Sequence, residues 1–96
     1  YLNTANCIIK AESLFEGTKN ESRVYIRIIV EKCLEYHATQ IIIVHNHPTG
    51  NLKASDADIN ITTKIQQALT LLEIKVLDHL IVGDNDFSSF KEMGYI

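Results

Sequence analysis

The sequence predicts an α/β fold in which helices flank a mixed β-sheet. Its clearest strand is the isoleucine-rich run QIIIVH at residues 40–45, which is too short for a helix and lacks polar alternation, as is typical of a strand buried on both faces. An amphipathic helix over residues 56–72 follows, and the run IKVLDHLIV at 74–82 returns as a second strand. This order of strand, helix and strand indicates a parallel pair joined by a right-handed crossover.

The segments before and after this unit add further elements. Strand-like residues at 7–9 and 12–17 follow a turn-like LNTAN, so the chain is expected to begin in a hairpin whose first strand is mostly absent, as in an excised fragment. Residues 22–38 predict a first helix with one apolar face, which Ser22 can cap. Near the other end, GDND is expected to turn the chain into a short edge strand at 87–90.

Length, charge and hydropathy indicate a single globular domain. The chain has 96 residues and a formal net charge of −3, with basic and acidic residues interspersed. Because binding to nucleic acid depends on clustered basic residues, direct contact of this chain with DNA or RNA is not expected. The longest apolar runs, IIIV and LIV, are far shorter than the ~20 residues that span a membrane, so no membrane segment is expected.

The two cysteines, Cys7 and Cys33, are too few for a disulfide framework and lack the spacing of metal ligands. We expect both to be free, buried thiols in a reducing cytoplasm. A disulfide bridge between them is the alternative.

The segment HNHPTGNLKASDAD at 45–58 carries residues that could bind a metal. His45 and His47 are two residues apart at the end of the predicted strand, so their side chains point to the same side. Asp58 lies eleven residues after His47, beyond a proline and a glycine with which the chain can turn back. Two imidazoles and one carboxylate provide the three protein ligands of a catalytic zinc site, whose fourth position stays open for water.

A structural interpretation accounts for part of the same segment. SDAD at 55–58 has the pattern of a capping box, in which Ser55 and Asp58 close the start of the following helix without any metal. An isolated H-x-H pair at a strand end is likewise more often a turn than a ligand pair. The metal interpretation therefore depends on the combination of all four residues.

The combination resembles a known family. HNHPTGNLKASDAD fits the H-x-H-x7-S-x2-D signature of the JAMM (MPN+) metalloproteases, and the flanking IIIVHNHPTG, SDADI and LDHLIVGD resemble the bacterial RadC branch of that family. The resemblance extends over essentially the entire chain. It implies the MPN/JAB architecture, a three-layer sandwich similar to that of cytidine deaminases. It also implies that residues 1–96 lack an upstream strand and an N-terminal helical DNA-binding segment, which would leave a sheet edge free for a homodimer.

The resemblance implies a role for each residue of the signature. His45, His47 and Asp58 would bind Zn²⁺, and the Ser55 hydroxyl would help to stabilise the oxyanion formed when a zinc-activated water attacks a peptide or isopeptide bond. The family also uses a glutamate as general base, which in the RadC branch is expected upstream of Tyr1. Within this chain, Glu12 is the candidate for that role.

Asp78 and His79 form a further candidate pair on the predicted strand at 74–82. A carboxylate–histidine pair of this kind can support a metal ligand from behind. The simpler interpretation is a half-buried strand pair that caps a neighbouring element.

Three functional hypotheses follow from these patterns. The first is a zinc hydrolase of the JAMM type acting on an unknown peptide or protein substrate. The second is a non-catalytic metal-binding or interaction module of a RadC-type protein associated with DNA repair. The third is a plain α/β domain in which the serine and the aspartate only cap a helix.

Overall fold

The computed structural model describes residues 1–14, 22–47 and 51–96. Three strands form one sheet in the order β1-β2-β3, in which β1 and β2 are parallel and β2 and β3 antiparallel. The predicted α/β fold with a mixed sheet is therefore confirmed. In chain order the elements are α1 (Ser22–Glu35), β1 (Gln40–Asn46), α2 (Asp56–Thr70), β2 (Lys75–Val82), β3 (Phe87–Ser89) and α3 (Phe90–Met93).

The main core lies between α1, α2 and one face of the sheet. Ile65 and Leu69 are one helical turn apart on α2, so both point inward, and Cys33 of α1 packs in the same cluster. The amphipathic period of α2 is thus confirmed, although the helix ends at Thr70 and Leu72 lies beyond it, exposed. The other buried members of this core are Ile29, Ala38, Ile41, Ile74 and Val76.

The prediction that β1 is buried on both faces is wrong. Ile41 is buried, whereas Ile42 and Val44 on the opposite face are 42% and 64% exposed. Among the described residues, β1 pairs with β2 along one edge and on the other edge only with Leu2, opposite Gln40. Dimerisation through this free edge stays a prediction.

The chain start forms only part of the predicted hairpin. Leu2 makes antiparallel bridges to Ile8 and to Gln40, and no longer strand is present in residues 1–14. Residues 15–17 of the predicted strand at 12–17 lie outside the described residues. The side chain of Ser22, the predicted helix cap, is not described either.

The prediction of an edge strand at 87–90 is wrong at its last residue. Phe90 begins α3, because the Ser89 hydroxyl accepts a hydrogen bond from the backbone N–H of Glu92 and caps the helix. The fully buried Phe90 packs with Ala54 and Ile81 in a second, smaller core beneath the end of the sheet. This core lies under the segment that leads into α2.

The two thiols differ from each other. Cys33 is fully buried and free, as predicted, whereas the free thiol of Cys7 is exposed, so the prediction of burial is wrong for Cys7. In the part of the chain that the structure describes, no helix is both long and apolar enough to cross a membrane.

Candidate metal centre

The carboxyl end of β1 positions the two histidines. His45 pairs with Ile81 in the parallel ladder, and the backbone N–H of His47 extends the ladder by donating to the Val82 carbonyl at 3.1 Å. Because side chains alternate along a strand, both imidazoles lie on the same side, and their ring centroids are 4.6 Å apart. The backbone of β1 therefore brings the two rings together before any ligand is bound.

The first turn of α2 positions the carboxylate. The Ser55 hydroxyl accepts a hydrogen bond from the backbone N–H of Asp58 at 3.0 Å, and Asp58 Oδ2 accepts one from the backbone N–H of Ser55 at 3.1 Å. This reciprocal pair is the predicted capping box, and it satisfies two backbone donors at the helix start. It also fixes the direction of the Asp58 side chain.

The three predicted metal ligands converge. Asp58 Oδ1 lies 3.3 Å from Nδ1 of His45, and Asp58 Oδ2 lies 3.3 Å from Nε2 of His47. One donor atom from each residue lies within 4.8 Å of the other two. Capping and ligation do not exclude each other, since Asp58 still directs both carboxylate oxygens at the imidazoles.

The donor set fits a cation. The Asn51 carbonyl lies 2.7 Å from Nδ1 of His47 and can only accept, so Nδ1 carries a proton and Nε2 is the ring nitrogen that faces Asp58. A lone pair and a carboxylate oxygen at 3.3 Å repel each other unless a proton or a metal ion lies between them. Backbone carbonyls commonly hold metal-binding histidines in this tautomer.

The pKa of Asp58 lies below its usual range. Burial raises this pKa, but the hydrogen bonds from Ser55 and the nearby His45 and His47 outweigh the effect of burial. The carboxylate is therefore ionised at neutral pH, which is the form that binds a metal.

Ser55 and Glu12 have different surroundings. The Ser55 hydroxyl accepts the capping bond from the Asp58 N–H at 3.0 Å and lies beside the Asp58 carboxylate, whose pKa it helps to lower. The Glu12 carboxylate accepts a hydrogen bond from the Tyr36 hydroxyl at 2.6 Å and lies 3.7 Å from Lys32 Nζ. Glu12 lines the same open cleft, of about 1430 Å³, as the three ligands, but it is not part of the ligand group. Its role as general base stays a prediction.

Asp78 and His79 do not form a carboxylate–imidazole pair. The Asp78 carboxylate accepts hydrogen bonds from the backbone N–H groups of His79 and Lys91 and from the Ser89 hydroxyl. Asp78 thus secures the start of α3, as the simpler interpretation predicted. The His79 ring instead contacts Thr62, which the sequence did not single out.

Comparison with known proteins identifies the family. A family model for the RadC-like JAB domain matches residues 1–95. The chain belongs to the RadC-like JAB domain family. The predicted RadC resemblance is thereby confirmed, and the His-His-Asp group of this JAB domain is consistent with JAMM-type metal binding.

The chain is also similar to curated proteins named UPF0758. The chain is 46% identical over 96 residues to a UPF0758 protein of Photobacterium profundum and 45% identical over 96 residues to one of Vibrio vulnificus. A UPF0758 protein of Cellvibrio japonicus is 44% identical over the same length. Each match covers 100% of this chain but only 43% of the relative, so the chain spans less than half the length of these relatives.

Proposed function

We propose that this JAB domain binds one Zn²⁺ ion through His45, His47 and Asp58 and hydrolyses a peptide or isopeptide bond. The convergence of the three ligand atoms within 4.8 Å carries the proposal. These atoms come from the end of a strand and the start of a helix that are separated in sequence. Helix capping explains the position of Asp58 relative to Ser55, but it does not explain why both imidazoles face the carboxylate.

The donor chemistry favours zinc among divalent ions. Two imidazole nitrogens and one carboxylate oxygen form a set typical of catalytic zinc sites, whereas calcium and magnesium prefer oxygen ligands throughout. A bound zinc ion would activate a water molecule and polarise a carbonyl group. Other imidazole-binding metals compete for such a set, so the metal must be identified by measurement.

The residues of the chain would bind and orient the substrate. The ligands open onto a cleft of about 1430 Å³, large enough for an extended peptide segment. The Ser55 hydroxyl could donate a hydrogen bond to the substrate carbonyl oxygen as negative charge develops there. The hydrogen bond from Tyr36 is the largest cause of the lowered pKa of Glu12, so this carboxylate is ionised, as a general base requires.

A metal-binding module without hydrolytic activity is the second candidate. It is favoured by the contacts of Glu12, because Tyr36 and Lys32 hold the carboxylate that this chain offers as its candidate general base. Among the described residues, the ligand group contains no carboxylate besides Asp58. An association with DNA repair would belong to this candidate, and retention of the domain on duplex DNA in low salt would support it.

Zinc titration of matched variants tests the metal site. Asp56 and Asp58 both lie in the first turn of α2, so Asp58→Asn and Asp56→Asn remove the same charge near the same helix end. We expect calorimetric titration to give one Zn²⁺ per wild-type chain, unchanged binding for Asp56→Asn, and a large loss for Asp58→Asn. Equal binding by the two variants, or no binding by the wild type, would overturn the proposed site.

A hydrolysis assay separates the two candidates. The zinc-loaded wild type and its Asp58→Asn variant are incubated with quenched fluorescent peptides and with an isopeptide-linked substrate. Cleavage by the wild type alone supports the hydrolase, whereas stoichiometric zinc without cleavage in either protein favours the binding module.

A further inference from the structure

A buried hydrogen-bonded chain joins β2 to the metal-binding turn of α2. The Thr62 hydroxyl donates to the backbone carbonyl of Asp58 at 2.8 Å, and the same oxygen lies 2.6 Å from Nδ1 of His79. Thr62 is 1% exposed and His79 is 4% exposed. Two polar side chains are thus buried directly behind a predicted ligand.

The proton positions in this chain follow from the bonding capacity of each group. A hydroxyl has one proton, and if Thr62 donates it to the Asp58 carbonyl, His79 must carry its proton on Nδ1 and donate to Thr62. The opposite assignment would form one of these two bonds instead of both. His79 therefore carries a proton on Nδ1. Its buried Nε2 has no hydrogen-bond partner among the described residues, so a second proton there would lack an acceptor.

Contacts with two other rings restrict the position of His79. The imidazole stacks on the fully buried Phe90, with ring centroids 4.2 Å apart and planes inclined by 21°. The ring centroids of His79 and His45 are 5.9 Å apart. A ring packed in this way has little freedom to turn, so the position of its Nδ1 atom is set by the core.

The same strand also fixes the histidine ligands. His79 is paired with Ile43 of β1, two residues before His45, and the parallel ladder continues to the pair of His45 with Ile81. The ladder therefore holds His45 at a set distance from His79. The Thr62 bonds hold the first turn of α2, and with it Asp58, at a set distance from the same residue.

We infer that Thr62 and His79 are positioning residues of the metal centre, which hold the Asp58 carboxylate opposite the two imidazoles of β1. This inference rests on the proposed metal binding. Through this buried pair, the first turn of α2 is hydrogen-bonded to β2, which in turn pairs with the strand that carries the two histidines. Partners of this kind behind metal ligands change metal affinity when they are removed.

A purely structural role makes a different prediction. A buried polar pair that only supports the core would lower the stability of the domain when it is broken, with no change in metal affinity or coordination geometry. The metal itself must therefore be the readout. Co²⁺ is suitable because its visible absorption spectrum reports the coordination geometry, and a titration gives the affinity in the same experiment.

The test compares two neighbouring threonines of α2. Thr63 makes the same bond to the carbonyl four residues earlier, 3.0 Å from Ile59 O, but it is exposed and does not contact His79. We expect Thr62→Val to bind Co²⁺ about 10-fold more weakly with an altered spectrum, Thr62→Ser to restore binding, and Thr63→Val to match the wild type. Equal affinity and spectra for Thr62→Val and Thr63→Val would overturn the positioning role while leaving the metal site intact. A wild type that binds no Co²⁺ would overturn the proposed function as well.

If Thr62→Val does not fold, a metal-free measurement tests the hydrogen-bonded chain on which the inference depends. Nitrogen-15 NMR of the imidazoles distinguishes the two neutral tautomers of His79 in the wild-type protein. The Nδ1–H tautomer is expected, and its loss in His79→Asn, whose amide can still donate to Thr62, identifies the signal. Detection of the Nε2–H tautomer would break the hydrogen-bonded chain and overturn the inference.

Discussion

His47 turns Nε2 toward Asp58 Oδ2, 3.3 Å away, while its Nδ1 lies 2.7 Å from a backbone carbonyl. The carbonyl is that of Asn51, in the segment that leads from β1 to α2. A histidine whose proton is held on the far side presents a lone pair to a carboxylate, and this contact is favourable only when a positive charge lies between the two atoms. Either a second ring proton or a divalent ion can supply this charge, and the geometry suits both.

Zinc should therefore stabilise the folded domain. At a free zinc concentration ~100 times Kd, binding to the native state alone adds about 2.7 kcal/mol, which corresponds to a rise in Tm of roughly 10 °C or more for a domain of this size. Thermal unfolding followed by circular dichroism checks this, with EDTA reversing the shift. An identical shift in Asp58→Asn would show that zinc binds elsewhere.

The capping role of Ser55 can be separated from its proposed catalytic role. Ser55→Ala removes the acceptor for the Asp58 N–H and is expected to lower the free energy of unfolding by about 1 kcal/mol, whereas Ser55→Asn keeps a capping oxygen and should cost much less. Urea denaturation measures both. Peptide hydrolysis should fall in Ser55→Ala, which has no side-chain donor, whereas the amide of Ser55→Asn can still donate a hydrogen bond to the oxyanion. Full activity of Ser55→Ala would contradict a catalytic role for this residue.

The ligand set could be predicted because its signal is local. The H-x-H pair has the two-residue period of a strand, and the serine and aspartate have the spacing of a helix start, so each half of the site is specified by its own secondary structure. Thr62 and the Asn51 carbonyl carried no comparable signal. A backbone carbonyl has no sequence signature, and Thr62 resembles an ordinary polar interruption beside the apolar residues of α2.

Two features of the fold depend on information that periodicity does not contain. The apolar run of β1 predicts a strand, but the exposure of Ile42 and Val44 depends on what covers the second face of the sheet. The end of β3 was missed for a different reason. Ser89 and Glu92 have the S-x-x-E spacing of a helix start, which competed with the strand propensity of Phe90.

The two phenylalanines near the chain end should differ sharply in their contribution to stability. Phe90 is fully buried against His79 and Tyr95, so Phe90→Ala should cost about 3–5 kcal/mol. Phe87 is 56% exposed, so Phe87→Ala should change the free energy of unfolding by about 0.5 kcal/mol or less. Urea denaturation of the two variants provides the comparison, and similar losses in both would contradict the described packing of α3.

The two thiols should react at different rates with a thiol-specific reagent. Cys7 is exposed, whereas burial raises the pKa of the fully buried Cys33 to about 11, so little thiolate is present at neutral pH. The folded protein should release one equivalent of chromophore rapidly from Ellman's reagent and the second only on unfolding. Cys7→Ser should abolish the rapid phase. Rapid reaction of two thiols in the folded wild type would contradict the burial of Cys33.

The buried imidazole of His79 should make the metal-free domain less stable in weak acid. Burial is the main cause that lowers its pKa from 6.5 to about 4, and the nearby His45 adds to this effect, while Asp58 and Asp78 oppose it. Above pH 6.5 the imidazole is neutral in both the folded and the unfolded chain. As the pH falls toward 4, the unfolded chain takes up a proton that the folded protein does not, so stability is lost by up to about 3 kcal/mol.

Replacement of His79 isolates this contribution from those of the other titrating groups. The lowered pKa values of Asp58 and Asp78 also cost stability as the pH falls below about 5, because the unfolded carboxylates begin to take up protons there, but both proteins share this loss. Urea denaturation in EDTA, followed by circular dichroism at pH 7, 6, 5 and 4, should therefore show a smaller loss for His79→Asn than for the wild type, even if the variant is less stable at pH 7. Parallel pH profiles for the two proteins would mean that the pKa of His79 is not lowered in the folded protein, which is incompatible with a buried imidazole stacked on Phe90.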